Sequence, residues 1–393
     1  MTEKIYDFDQ RNDRYGSASV KWDEADRIFK GENLLPLWVA DMDFQVPDSV
    51  TKALSDRIKH GIYGYTYQTD SYLSAVQKWM EVRHGWTVEK EWICHSPGVV
   101  TALNLIVEGF TKRGDKILIQ PPVYPPFREV AHNQGRELVT NPLVYYNGRY
   151  TIDFDDLERK LSDPSVKLMI LCSPHNPVGR VWTKEELLKV AELTQKNNVL
   201  VVSDEIHEDL TYDGHDHIPF ASLSQEVASH TVVCTAPSKT FNLAGLQISN
   251  IIISDPSLRK IYQNQQHRFS LSEPNTLGMT AAEAAYRCGG EWLNQCLNYI
   301  HGNADYIENY LHAELSDLML IPLEGTYLGW IDCSRLGLDK VSLQMLMIQK
   351  AHVAFNQGYT FGSEGEGFIR MNLACPRTMI EEAMFRLKTA ITK

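Results

Sequence analysis

The chain contains no apolar run approaching the roughly 18 residues that a membrane-spanning helix needs, so no membrane partner is expected. It has no basic excess either: 38 lysines and arginines against 50 acids leave a net charge of −12, which argues against nucleic acid and anionic membrane surfaces as ligands. Its seven cysteines form no CxxC pair, and an odd, scattered set reads as reduced thiols, not a disulfide framework. The thirteen histidines show no HExxH or paired-ligand spacing, so no metal site is expected. The first ten residues are too polar for a secretory signal, which points to a cytoplasmic protein. Internal repeats, low-complexity segments and Pro/Gly/Ser linkers are missing as well.

What is present is a globular composition, 43% hydrophobic and 22% charged. A length of 393 residues exceeds what one core usually organises, so two domains are expected. Residues 1 to about 45 read as irregular around one apolar run, 34–40. A helix opens at Pro47. The middle then alternates strand and helix, with strands near 116–119, 167–172, 199–203, 231–235 and 248–253. Thr183 and Glu186 form a capping box ahead of a helix to about Asn197. Continuous apolar strands separated by helices predict an α/β protein with a mostly parallel central sheet and helices on both faces. From about 274 the pattern becomes mostly helical, with strands near 327–332 and 368–373. That predicts a smaller α+β domain of residues 1–45 and 285–393, beside a large domain of residues 46–284.

Ligands of open α/β sheets bind outside the carboxyl ends of the strands, and the polar clusters of this chain fall there. Ser203-Asp204-Glu205-Ile206-His207 follows one strand and Ser238-Lys239 another. Ser173-Pro-His-Asn-Pro-Val-Gly179 follows a third, and Pro121-Pro-Val-Tyr-Pro-Pro-Phe127 a fourth. Ser96-Pro-Gly-Val-Val100 opens a helix whose backbone N–H groups suit a phosphate. Taken singly, each has a plain structural reading: a solvated lysine, a helix cap, an ordinary turn. Together they set a carboxylate and an amine at adjacent strand ends, which suits pyridoxal phosphate chemistry.

In this order, the clusters resemble fold-type I pyridoxal-phosphate enzymes, the aspartate aminotransferase superfamily. Leu35-Pro-Leu-Trp-Val-Ala-Asp-Met-Asp-Phe44 resembles the MalY/PatB branch of cystathionine β-lyases, or C–S lyases. The resemblance implies that Lys239 carries the cofactor as a Schiff base and acts as general base. Asp204 would pair with the pyridine nitrogen, Asn176 with the phenolic oxygen, and Tyr124 would stack on the ring. Gly98, Val99, Val100 and Ser238 would hold the phosphate, joined by Tyr65 of a neighbouring subunit in a homodimer with shared active sites. Arg370, within the apolar strand 367–373, would clamp the substrate carboxylate, with Trp38, Ala40 and Asn176 lining that end. His207 stands in the cofactor set where aminotransferases usually carry tyrosine, and Gln247 where they often carry a phosphate-binding arginine. The implied activity is α,β-elimination on L-cystathionine or L-cysteine, giving pyruvate, ammonia and a thiol or hydrogen sulfide. Alternatives are a class I/II aminotransferase, which would share the same site, and a regulatory protein on the same scaffold.

Overall fold

In a computed structural model describing residues 4–392, the chain builds one seven-stranded sheet and one four-stranded sheet. In spatial order the larger sheet contains Ile93–Ser96, Ser249–Ile252, Thr231–Thr235, Leu200–Asp204, Val166–Cys172, Lys116–Ile119 and Glu137–Thr140. The last five of these strands run parallel to one another, as the mostly apolar sequences of 116–119, 166–172, 200–204 and 231–235 predict. Ser249–Ile252 runs antiparallel to both its neighbours. No long crossover helix separates it from Thr231–Thr235, only the short turn-helices 237–240 and 244–246, so the chain reverses direction there.

This reversal has a consequence for the site. The carboxyl ends of six strands and the amino end of Ser249–Ile252 meet along one edge. The sequences just beyond Ser96, Ile119, Cys172, Asp204 and Thr235 therefore converge there, together with Gln247 and Ile248. The smaller sheet is antiparallel, ordered Met319–Leu320, Leu328–Asp332, Phe368–Asn372 and Asn356–Gln357. It presents Arg370 toward the same edge.

Two strands of the large sheet, 93–96 and 137–140, were not predicted. The first is only four residues long, and the second is partly exposed without clean alternation. The N-terminal region is also more ordered than expected. It forms short helices at Val20–Asp23 and Ala25–Phe29, and a parallel pairing of Leu35–Pro36 with Val353–Ala354. Ordering here comes from buried ion pairs invisible to local periodicity. Lys21 is fully buried, 2.6 Å from Asp43, and Arg14 bridges Asp41 and Asp43, both at 2.7 Å. All seven cysteines are free. Among the described residues, no helix is long and apolar enough to cross a membrane.

Behind the sheet edge lies a second buried ionic group that sequence spacing did not reveal. His84 Nε2 lies 3.0 Å from Asp209, which also accepts from Trp79 Nε1 at 3.0 Å and from Thr240 at 2.8 Å. Glu208 accepts from Thr235, and its second oxygen lies 4.0 Å from His84. Burial alone would lower the His84 pKa, but Glu208 and Asp209 raise it to about 9. A raised pKa contributes stability below the unfolded imidazole value that is lost as pH climbs through about 9. Denaturant titrations are expected to show that loss. Replacing His84 with alanine strands the buried Asp209 carboxylate, while Glu208, whose pKa burial raises, can take up a proton instead; the change is expected to cost about 3–5 kcal/mol at neutral pH.

Candidate active site

The converging strand ends enclose a cavity of about 500 Å³. Its lining includes Trp38, Ala40, Gly98, Val99, Val100, Tyr124, Asn176, Asp204, His207, Ser238, Lys239 and Arg370. Twelve of the thirteen residues singled out from the sequence are thus brought together. Tyr65 is not among them: it stands 98% exposed on the surface of its own chain.

Lys239 sits in the short helix Pro237–Thr240, started by Pro237 directly after the strand 231–235. The Thr240–Asp209 hydrogen bond secures that helix from behind. Lys239 Nζ donates to the Ala40 carbonyl at 2.6 Å. Burial, reinforced by the Arg370 charge, lowers its pKa to about 8, so a neutral amine is accessible near physiological pH.

Asp204 ends its strand and accepts from the Ile206 N–H at 3.2 Å. Burial raises its pKa to about 7, an effect only partly offset by the Ile206 hydrogen bond and the Lys239 charge. Such a carboxyl becomes a firm anion only when a cationic partner arrives. His207 is fully enclosed and its Nδ1 has no partner. Burial, then the charges of Lys239 and Arg370, push its pKa well below the usual value, so it is neutral.

Arg370 is buried, and burial lowers its pKa to about 10. Its fork is held by neutral acceptors: Asn176 Oδ1 at 2.9 Å, Asn356 Oδ1 at 2.6 Å and the Trp38 carbonyl at 3.0 Å. The guanidinium also lies over Phe361 at 4.7 Å, and its Nε has no partner. Because Asn176 spends its oxygen on Arg370, its amide N–H₂ remains for a ligand. Asn356 was missed; a polar residue in a two-residue strand gives no periodic signal.

Gly98 caps the helix Val99–Phe110 with φ of +93°, a conformation that favours glycine. The first-turn N–H groups of Val99 and Val100 open the helix at the cavity wall, a natural phosphate seat. Ser238 lines the same wall. Tyr124 packs edge-on against Phe127 at 5.9 Å, and burial followed by the Asp204 charge raises its pKa. Gln247, held at φ of +48°, occupies the wall as an uncharged amide.

Among the described residues, Lys239, Asp204 and Arg370 have no ion-pair partner, although all three line one cavity, Asp204 and Arg370 buried and Lys239 partly buried. Unpaired buried charges are costly, so the arrangement calls for a ligand of matching groups. Pyridoxal phosphate with an amino acid fits: a carbonyl carbon for the amine, a ring nitrogen for Asp204, a phosphate for the helix start, and a carboxylate for Arg370.

Comparisons with known proteins agree with this geometry. Cystathionine beta-lyase PatB of Bacillus subtilis is 47% identical over 98% of this chain and all of its own length. The structure of cystalysin from Treponema denticola, which contains pyridoxal 5'-phosphate, superposes with a TM-score of 0.97 at 39% identity, covering 99% of both chains. The pyridoxal-phosphate-bound C–S lyase of Staphylococcus hominis matches with a TM-score of 0.93 at 34% identity, again over 99% of both chains. The family model for aminotransferase class I and II spans residues 32–387, and the chain belongs to that family.

Proposed function

We propose that this chain is a pyridoxal-phosphate-dependent carbon–sulfur lyase that splits L-cystathionine and related S-substituted L-cysteines. The observation that carries the reading is the trio Lys239, Asp204 and Arg370, gathered around one cavity without ion-pair partners among the described residues. When bound, the cofactor supplies an electron sink for the pair released as the Cα–H bond breaks.

The chain's own residues do the rest. Arg370 fixes the substrate carboxylate through a bidentate, charge-assisted contact. Asp204 holds the ring nitrogen in its protonated form. Asn176 donates its amide hydrogen, and Tyr124 covers the ring face. Val99, Val100 and Ser238 seat the phosphate. Lys239, freed as a neutral amine, takes the Cα proton on Nζ. Breaking the Cβ–S bond then releases a thiolate, which takes up a proton from Lys239 Nζ or Tyr124. Water converts the remaining enamine to pyruvate and ammonia. L-cystathionine yields homocysteine, and L-cysteine yields hydrogen sulfide.

We further infer a homodimer in which Tyr65 of one subunit reaches the phosphate of the other. Its near-complete exposure, beside exposed Ile62, Tyr63 and Tyr67, supports this. The free cysteines support a reducing, cytoplasmic setting. The meeting of the two sheets at the cavity supports the division into residues 46–284 and 1–45 with 285–393.

The test is stoichiometry. Purified enzyme given L-cystathionine is expected to form pyruvate over many turnovers without a keto acid; strict dependence on 2-oxoglutarate would make it an aminotransferase instead. Gln247 supplies a second expectation. Without a cation at that wall, cofactor loss on prolonged dialysis should be measurable. Gln247→Arg adds a hydrogen bond to a charged group, worth about 1.5–3 kcal/mol, and should slow that loss at least roughly tenfold.

A further inference from the structure

We propose that Asn372, which does not line the cavity, is a positioning residue that aims the backbone carbonyls of Trp38 and Ala40 at Arg370 and Lys239. The inference rests on the roles given to those two residues above.

The segment Leu37–Asp41 offers five consecutive carbonyls, and their partners alternate. The Leu37 carbonyl accepts from the Asn372 backbone N–H at 2.9 Å. The Val39 and Asp41 carbonyls both accept from the Asn372 side-chain amide, at 2.6 and 2.5 Å. The two carbonyls between them face the other way. Trp38 accepts from Arg370 Nη2 at 3.0 Å, and Ala40 accepts from Lys239 Nζ at 2.6 Å. Each of these two carbonyls lies between peptide groups that Asn372 holds, so fixing the odd members limits how the peptide planes of the even ones can turn.

Asn372 is suited to this task. It is fully buried, and its Oδ1 is taken by the Ala374 N–H at 2.8 Å. The amide orientation is thereby set, and both N–H groups must serve the loop. It also follows Arg370 by two positions in the same strand, so the clamp and its guide move as one body. Tyr327 completes the arrangement by donating to the Ala40 carbonyl at 2.9 Å, beside Lys239.

Asn372→Ala should therefore loosen two contacts at once, and Tyr327→Phe only one. On the holoenzyme, the binding constant of 3-(methylthio)propionate, a carboxylate without an α-amine, reads the Arg370 clamp by calorimetry. The pH profile of kcat with L-cystathionine reads Lys239. Asn372→Ala is expected to weaken carboxylate binding and lower kcat, each roughly 10–100-fold, as a displacement of about an ångström does. Tyr327→Phe should leave binding unchanged, lower kcat, and move the limb assigned to Lys239 to higher pH, because the unshared Ala40 carbonyl stabilises the ammonium form better. An Asn372→Ala enzyme that folds, retains cofactor and keeps both quantities within about twofold overturns the proposal, even if its melting temperature drops. If that variant does not accumulate, an unchanged kcat profile in Tyr327→Phe overturns it. Arg370→Met serves as the control: unchanged carboxylate binding there would refute the clamp itself, a failure distinct from that of Asn372.

Discussion

Lys239→Ala is expected to lower turnover of L-cystathionine by at least about 10⁴-fold, while the protein remains folded. Two functions are lost together, the covalent hold on the cofactor and the base at Cα, and a positioned base alone accounts for about 10²–10⁴-fold. Little stability should be lost, because the native amine is a desolvated group whose one contact is the Ala40 carbonyl. Purified variant should lack the visible absorbance of a lysine-bound cofactor, and added small amines should restore part of the rate. Surviving elimination at the native rate would remove Lys239 from the mechanism. The native enzyme carries a related signature. Lys239 must be neutral to accept a proton, and its pKa is lowered to about 8. The kcat of the wild type should therefore rise with pH up to about that value and level off above it.

Arg370 produces the second large effect, and on a different parameter. Removing one partner of a buried, hydrogen-bonded charge pair costs about 2–5 kcal/mol, so Arg370→Met should reduce kcat/KM by roughly 30-fold to several thousand-fold. The loss should fall mainly on KM. Arg370→Lys retains charge but not the planar fork, and recovers only part of it. Without substrate, Arg370→Met should melt at the native temperature or above, since it removes a buried cation whose partners are all neutral. Steady-state kinetics and thermal melts on the same preparations check both halves. A variant that lost stability but kept its KM would make Arg370 a structural residue. The contrast is informative because a group kept for function is destabilising until its ligand arrives.

These two residues show where sequence reasoning has its reach. Lys239 and Asp204 were legible because each follows an uninterrupted apolar strand, and strand ends in a parallel sheet share one edge. Gly98 was legible because a glycine before an apolar helix marks a helix start. Arg370 was legible as a charge inside an apolar strand. Other features left no local trace. The Lys21–Asp43 pair joins residues of an N-terminal stretch that reads as irregular, so the order of that stretch was missed. The strand 137–140 lies at the sheet edge, where one flank is solvated and the apolar pattern weakens. His84 pairs with Asp209 across 125 positions, a distance over which spacing rules carry nothing.

The sequence by itself determined the layer architecture and the strand-end placement of Asp204 and Lys239, because strand burial, helix starts and strand-end polarity are local properties; the order of its motifs, through their resemblance to a family, pointed to the cofactor class. Only the tertiary structure decided how those groups are tuned and aimed. Burial in a common cavity brings the Lys239 amine down to about 8 and the Asp204 carboxyl up to about 7, and desolvation exists only once the chain has closed around them. The carbonyls of Trp38 and Ala40 carry no side-chain signature at all. They became part of the site because Asn372, more than three hundred residues away, holds their neighbours.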